Sequence, residues 1–217
     1  MKSSFIVNKY LEELIIIFTG WSTTPKLYKE FKTNLCDLLI VYDYSNLELF
    51  TDIILKYKTI NVIGWSLGVW AASYYFSNNK TEKINKTVAI NGTPYPIDNE
   101  YGINKQLFIN TAKNLNEQNL KKFQFRMCNT KTAFEEFNIK NEKVDIEHLR
   151  KELFFINENI DKNVDSFFWQ KAYIGINDRI FLPKNQQNAW NENTYKIIVD
   201  VAHYDLELLQ KIVLDIA

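Results

Sequence analysis

The pentapeptide Gly64-Trp65-Ser66-Leu67-Gly68 joins two segments of different character. Residues 60–64 form the short apolar run of a buried strand, whereas residues 69–76 combine good helix formers with bulky apolar side chains. Gly-x-Ser-x-Gly between a strand and a helix predicts a tight turn, in which a strained serine presents its hydroxyl above a sheet. We therefore predict that Ser66 is a nucleophile. The alternative is an ordinary strand-to-helix turn that happens to contain a serine.

Further apolar runs of strand length lie on both sides of this turn, at residues 14–18, 38–42 and 87–91. Helical spacing separates them, and we expect helices at about residues 26–35, with Pro25 at the entry, and 46–56. Strands that alternate with helices and are apolar on both faces indicate a parallel sheet covered on both sides. The sequence therefore predicts an α/β fold.

The alternation stops at about residue 98 and resumes at about residue 167. Residues 98–165 show helical spacing without a convincing strand, which predicts a helical cap insertion. Strands are expected again at residues 167–176 and 196–201, and a last helix at 206–216. We interpret residues 1–217 as a single domain that carries this cap.

A serine hydroxyl needs a base to take its proton, and histidine suits this role because its pKa lies near neutrality. The chain has two histidines. His203 follows a predicted strand, at the sheet edge where active sites of open α/β sheets lie, so we predict it as the base. His148 lies on a charged helical face of the insertion, where a solvated surface residue is the favoured interpretation.

The third member of a catalytic triad orients the imidazole and stabilises its charged form. In this type of fold the chain order is serine, acid, histidine, and Asp178 fits because it follows the strand expected before residue 177. A turn aspartate that bonds its own backbone is the competing interpretation. Asp165 and Asp200 are weaker candidates, because the first precedes its strand and the second lies within or at the end of one.

An oxyanion hole needs backbone N–H groups aimed at the developing charge. We predict that one is the N–H of Leu67, directly after the nucleophile, and that the other is the N–H of Trp21, after the first apolar strand. Trp21 could instead be a packing aromatic, or it could do both. Trp65 could line the pocket or pack in the core.

Composition excludes several classes of protein. Hydrophobic residues make up 46% of the chain and the formal net charge is +0, so neither disorder nor general attraction to nucleic acid or anionic membrane is expected. The apolar run at residues 14–18 is too short for a signal or membrane segment, and we expect a soluble cytoplasmic protein. Cys36 and Cys128 form no CxxC pair, so we expect free thiols and no zinc site.

Several short motifs together carry a resemblance to one family. They are Phe18-Thr19-Gly20-Trp21, the pentapeptide at Ser66, Asn91-Gly92-Thr93-Pro94, residues 175–181 around Asp178, and Ala202-His203-Tyr204. In these the chain resembles the BioG family of α/β-hydrolases, which are pimeloyl-[acyl-carrier-protein] methyl ester esterases of biotin synthesis. The resemblance implies an α/β-hydrolase fold with Ser66, Asp178 and His203 as nucleophile, acid and base. It departs from broader hydrolases at Thr19-Gly20, where a His-Gly pair is common.

The resemblance also implies a substrate and a partner. The expected reaction is hydrolysis of the methyl ester of pimeloyl-ACP, with acyl carrier protein (ACP) as partner and no metal or organic cofactor. Because an acyl carrier protein is acidic, basic residues near the pocket would favour binding. The candidates are Lys121, Lys122 and Arg126, with Arg150 and Lys151 as a second group, although solvated helix faces explain such residues more often.

Two other functions remain open. Triad chemistry also serves thioesterases, other acyl hydrolases and acyltransferases, whose specificity depends on the residues around the triad. The second alternative is a binding module on a hydrolase scaffold that has lost activity.

Overall fold

The structure is a computed structural model, and it describes residues 1–48, 51–160, 164 and 166–217. In this part of the chain, seven strands form one sheet in the order β1-β3-β2-β4-β5-β6-β7. The strands are β1 (Lys2–Val7), β2 (Glu13–Phe18), β3 (Asp37–Tyr42), β4 (Thr59–Trp65), β5 (Ile84–Ile90), β6 (Lys171–Gly175) and β7 (Tyr195–Val199). β1 is antiparallel to β3, and every other neighbouring pair is parallel.

The helices are α1 (Thr51–Leu55), α2 (Leu67–Asn78), α3 (Lys105–Lys113), α4 (Glu117–Cys128), α5 (Lys131–Lys140), α6 (Ile146–Glu158), α7 (Pro183–Ala189) and α8 (Leu206–Ile216). A 3₁₀ helix, Pro25–Tyr28, follows β2. The predicted α/β fold with a mainly parallel sheet is therefore confirmed. The predicted bounds of the last helix are those of α8.

The central strands are covered on both faces, which explains their unbroken apolar runs. All of Leu14 to Phe18 in β2 are completely buried, with Ile16 on the α2 side of the sheet and Ile17 on the α8 side. Successive side chains of a strand point to opposite faces, so a strand in the middle of such a sheet needs apolar residues at every position.

The first two predicted helices are wrong in extent. Instead of a helix over residues 26–35, only Pro25–Tyr28 is helical, with Pro25 at its start as expected. Beyond it the Thr33 hydroxyl accepts the Cys36 N–H, a local bond that turns the chain toward β3 and competes with helix. Instead of 46–56, α1 covers Thr51–Leu55. Upstream, the carbonyls of Asn46 and Glu48 accept hydrogen bonds from the N-terminal ammonium.

The sequence also misplaced some strand ends and missed one strand. The strands expected at residues 167–176 and 196–201 are β6 (Lys171–Gly175) and β7 (Tyr195–Val199). β1 gave no apolar signal because this edge strand is half-buried and begins with the polar residues Lys2-Ser3-Ser4. Among the described residues it pairs with β3 alone, as the edge strand of the sheet.

Helices α3 to α6 lie between β5 and β6, within the range predicted for the insertion. Their first turns are stabilised by side chains that accept a backbone N–H from the residue three positions on. These N-cap residues are Asn104, Asn116, Thr130 and Asp145. The insertion as predicted extends to residue 165, but residues 161–163 and 165 lie outside the described part. Within that part, we find no helix with the length and apolar character that crossing a bilayer requires.

Replacing Ile16 by alanine tests how far stability depends on the doubly covered sheet. Ile16→Ala removes a completely buried side chain from β2 and should lower the free energy of unfolding by roughly 2–5 kcal/mol in a urea titration. Ile198→Ala on the edge strand β7, where the side chain is 52% exposed, is the control and should change it by less than about 1 kcal/mol. Equal losses would contradict this account of the core.

Candidate active site

The turn between β4 and α2 is as tight as the sequence predicts. Ser66 is the N-cap of α2, with φ 59° and ψ −127°, a conformation that is strained for any residue with a Cβ. A Cβ on Gly68 would lie 2.1 Å from the carbonyl oxygen of Phe18, and a Cβ on Gly64 would lie 2.7 Å from the Trp169 ring. Both glycines are therefore required by close packing around the turn.

Three side chains from distant parts of the chain meet at this turn. His203 Nε2 lies 2.9 Å from Ser66 Oγ, and His203 Nδ1 lies 2.8 Å from Asp178 Oδ2. All three residues are buried, with exposures of 4%, 1% and 3% in the order Ser66, His203, Asp178. The structure thus brings together the nucleophile, base and acid candidates in the relative geometry of a serine–histidine–acid triad.

Asp178 makes both the local and the distant contacts that the sequence allowed. Its Oδ1 accepts the N–H groups of Ile180 (2.7 Å) and Phe181 (3.0 Å), as in a turn aspartate. Its Oδ2 faces His203 and also accepts a hydrogen bond from Gln186 Nε2 at 3.0 Å. Gln186 is completely buried on α7, and the sequence analysis missed it, because nothing local distinguishes it from the neighbouring polar residues.

The His203 loop is fixed by residues that bond to its backbone. Trp65 Nε1 donates to the His203 carbonyl at 2.9 Å, and Asn91 Nδ2 donates to the same carbonyl at 3.1 Å. Phe181 stacks on the imidazole with ring centroids 6.1 Å apart. Trp65 is buried beside His203 and does not line the pocket at Ser66, so of its two predicted roles the structure favours packing.

The residues predicted to supply the oxyanion donors lie close to Ser66. Leu67 is the first residue of α2, where a backbone N–H has no acceptor within the helix. The indole of Trp21 packs edge-on against Phe123, donates its Nε1 hydrogen to the Leu149 carbonyl at 3.2 Å and lines the pocket. Trp21 is therefore a packing aromatic, and the oxyanion role of its backbone N–H stays a prediction.

A largely apolar pocket opens at Ser66. Arg126 of α4 and Arg179, which directly follows Asp178, bring positive charge to this lining. Arg179 was missed at the sequence level, although its position next to Asp178 is a signal that could have found it. The other lining residues are Trp21, Leu67, Ile103, Leu107, Phe108, Thr111, Phe123, Leu153 and Ile180.

Of the weaker candidates, Asp200 and His148 do not join the triad. Asp200 Oδ1 accepts a hydrogen bond from Asn177 at an exposed position, and Asp165 lies outside the described residues. His148 is not simply a solvated residue, because its Nε2 lies 3.0 Å from Asp43 Oδ2 and 36% of its side chain is exposed. It lines a different cavity, next to Glu152.

The predicted basic groups separate in the structure. Arg126 lines the Ser66 pocket, and Lys122 joins it along an adjoining groove between α3 and α4, whereas Lys121 lies on another groove. Arg150 bonds to Glu147 and to the carbonyl of Leu115, so its charge is used within the protein. Lys151 is exposed on α6.

The chain matches one known protein family over nearly its whole length. The family model described as "Pimeloyl-ACP methyl esterase BioG" matches residues 1–212. The chain belongs to the BioG family. A crystal structure of BioG from Haemophilus influenzae superimposes with a TM-score of 0.88 at 31% identity, covering 96% of each chain.

Two further proteins extend the comparison. The chain is 38% identical over 202 residues to a Bacteroides fragilis protein named malonyl-[acyl-carrier protein] O-methyltransferase, covering 92% of this chain but only 41% of that relative. An esterase from Exiguobacterium antarcticum, at 13% identity, shares the fold with a TM-score of 0.68 over 97% of this chain and 92% of its own. The protein is thus a member of the BioG family with the α/β-hydrolase fold.

The cysteines of this BioG-family protein are both buried and unpaired, as expected. Burial raises the pKa of the Cys36 thiol to about 11 and that of the Cys128 thiol to about 12. Both thiols are therefore protonated at neutral pH, which argues against either as a nucleophile.

A second group of charged side chains lies behind the loop that carries Trp21. Glu152 of α6 is 3% exposed, and burial raises its pKa to about 8, although a hydrogen bond from the Tyr44 N–H opposes the rise. The neighbouring charges are Asp43, Lys2 and the N-terminal ammonium. Burial also acts to raise the pKa of Asp43, but hydrogen bonds from Lys2 and Ser45 outweigh it and hold the pKa at about 2.

The pKa of Glu152 predicts a pH-dependent stability. Between its ordinary pKa of about 4.5 and about 8, the folded protein holds a proton that the unfolded chain releases, so stability falls as pH rises through this window. Glu152→Gln removes that proton uptake. In urea titrations from pH 5 to pH 8, the free energy of unfolding of Glu152→Gln should rise relative to that of the wild type by on the order of 2–3 kcal/mol.

Glu135→Gln, at an exposed carboxyl of α5, is the matched control and should follow the wild-type curve. A constant difference between Glu152→Gln and the wild type across this range would show that Glu152 is already ionised in the folded protein at pH 5.

Proposed function

We propose that this BioG-family protein is a serine carboxylesterase that hydrolyses the methyl ester of pimeloyl-ACP to pimeloyl-ACP and methanol in biotin synthesis. The observation that carries the proposal is the hydrogen-bonded series Ser66–His203–Asp178 at the N-terminus of α2. Membership of the family supports the substrate, and the apolar lining of the pocket suits the methylene chain of a pimeloyl group.

In the proposed mechanism, Ser66 Oγ attacks the ester carbonyl while His203 Nε2 takes its proton. Asp178 Oδ2 holds the imidazole through Nδ1 and stabilises its positive charge. The Asp178 carboxylate accepts hydrogen bonds from Gln186 and from the N–H groups of Ile180 and Phe181. It is therefore held in place and need not move when the imidazole becomes charged.

The tetrahedral intermediate places a negative charge on the former carbonyl oxygen. We propose that the N–H groups of Leu67 and Trp21 bind this oxyanion, helped by the positive end of α2. His203 then returns the proton to the departing methanol. A water molecule, activated by the same imidazole, hydrolyses the acyl-enzyme and regenerates Ser66. These side-chain and backbone groups perform every step, so the mechanism requires no cofactor.

The carrier protein would approach from the side of the pocket that bears positive charge. Arg126 and Arg179 line the pocket, and Lys122 extends the charge along the groove between α3 and α4. Arginine and lysine at such a position favour an acidic partner and speed its association. We propose acyl carrier protein as that partner, and we propose the cytoplasmic location that the sequence analysis expects.

Removing the proposed nucleophile tests the reaction directly. Purified protein is incubated with pimeloyl-ACP methyl ester, and loss of the methyl group is followed by mass spectrometry. The wild type should convert the substrate, whereas Ser66→Ala should lower kcat by roughly 10⁴-fold or more. Conversion that persists in Ser66→Ala overturns the assignment of Ser66.

Matched substrates decide between the proposed esterase and the other acyl hydrolases. The methyl ester and the free acid of pimeloyl-ACP both carry the thioester to the carrier, so release of the carrier thiol reports thioesterase activity in either. We expect loss of methanol from the first and intact thioesters in both. Release of the thiol at a rate comparable to demethylation would favour a thioesterase.

The acid of the triad can be tested without changing its shape. Asp178→Asn should keep the hydrogen bonds to Ile180 and Phe181 but no longer stabilise the imidazolium, lowering kcat by roughly 10³–10⁴-fold. Asp200→Asn, at the exposed aspartate that bonds Asn177, is the control and should remain within about twofold of the wild type. Equal activity of both variants would remove Asp178 from the mechanism.

A further inference from the structure

The loop at residues 19–24, which connects β2 to the 3₁₀ helix, is buried and irregular. Thr19, Trp21 and Ser22 are 1%, 4% and 4% exposed, and Ser22 has a positive φ of 66°. Irregular backbone of this kind keeps one shape only where its surroundings determine it. Its position matters to the proposed function, because it carries the N–H of Trp21.

Much of the support for this loop comes from the helical segment between β5 and β6. The Asn141 side chain, just after α5, accepts hydrogen bonds from the N–H and the hydroxyl of Thr24 and donates one to the Ser22 carbonyl at 2.9 Å. The Trp21 indole donates to the Leu149 carbonyl of α6. The segment that forms the pocket wall thus also holds the loop beside the nucleophile.

One further connection runs from α6 to the beginning of the loop through Tyr44. The Glu152 Oε1 atom accepts the Tyr44 backbone N–H at 2.8 Å. The hydroxyl of the same Tyr44 donates to the Thr19 carbonyl at 2.6 Å. Tyr44 and Glu152 are 0% and 3% exposed, so water cannot easily replace either bond.

We propose that Glu152 is a positioning residue for the oxyanion hole. By holding Tyr44, it fixes the Thr19 carbonyl and so the direction of the Gly20–Trp21 backbone that follows. This inference rests on the proposed function, in which the Trp21 N–H binds the oxyanion. It explains why a carboxyl group is present in a buried place where an apolar residue would pack without desolvation of a polar group.

The size of the expected effect follows from what an oxyanion donor contributes. Loss of one donor lowers kcat by about 10²–10³-fold, and the donors must lie within tenths of an ångström of their place. Loosening the support of the Trp21 segment should therefore lower kcat by roughly 10–100-fold. KM should change by less than about threefold, because the pocket side chains are still present.

The test compares two substitutions of Glu152 on pimeloyl-ACP methyl ester. Glu152→Gln retains an oxygen that can accept the Tyr44 N–H, whereas Glu152→Leu has similar size and no acceptor. We expect kcat close to that of the wild type for Glu152→Gln, and the 10–100-fold loss at nearly constant KM for Glu152→Leu. If the carboxyl group only stabilised the fold, kcat would not differ in this way between the two folded variants.

Tyr44→Phe breaks the second bond of the connection and keeps the test informative if Glu152→Leu does not fold. Tyr57→Phe is its matched control, because Tyr57 is also buried and its hydroxyl donates to Asp37 at 2.9 Å. Asp37 begins β3, whereas Tyr44 follows the other end of that strand. Both variants lose a buried hydrogen bond of a tyrosine, but only Tyr44→Phe should lose kcat.

The possible outcomes separate this inference from the proposed function. A wild type that is inactive on pimeloyl-ACP methyl ester and on simple aryl esters overturns the proposed function, and the inference with it. An active wild type in which folded Tyr44→Phe retains the kcat of Tyr57→Phe overturns the inference alone. Loss of kcat in Tyr44→Phe and its preservation in Glu152→Gln would support both.

Discussion

The close contact between β2, β4 and the first turn of α2 is the constraint on which the rest of the site depends. The carbonyl oxygen of Phe18, at the end of β2, would lie only 2.1 Å from a Cβ at position 68. Glycine at this position lets the helix start directly against the neighbouring strand. Ser66 is consequently forced into a strained conformation at the carboxyl edge of the sheet, between the β2 loop and the residues that follow β5.

The other two residues of the proposed triad reach Ser66 because parallel strands end at a common edge. Asp178 follows β6 and His203 follows β7, and Asn91, which follows β5, connects them. The Asn91 side chain accepts the Gly175 N–H at the end of β6 and donates to the carbonyls of Ala202 and His203. One buried amide therefore holds the His203 loop against the strand that precedes Asp178.

The helical segment between β5 and β6 does more than cover the sheet. It provides more than half of the residues that line the pocket, and its polar groups bond to the loop beside Ser66. Pocket shape and loop geometry meet at one buried face of α6, where the Leu149 carbonyl accepts the Trp21 indole, Glu152 accepts the Tyr44 N–H and Leu153 lines the pocket. A mainly helical segment therefore contacts the residues at the sheet edge through both its apolar and its polar groups.

The sequence by itself determined the α/β fold, because doubly buried strands have unbroken apolar runs and the Gly-x-Ser-x-Gly turn has specific steric needs. It also selected Ser66, Asp178 and His203, since each directly follows a recognisable strand. Only the tertiary structure decided which residues support them. Gln186 and Glu152 carry no local pattern, because a hydrogen bond between a side chain and another element leaves no periodicity in either one. The half-buried edge strand β1 was missed because burial at a sheet edge depends on neighbours that a linear pattern does not contain. The helix expected at residues 26–35 is shorter because a local hydrogen bond at Thr33 competes with the helical backbone pattern.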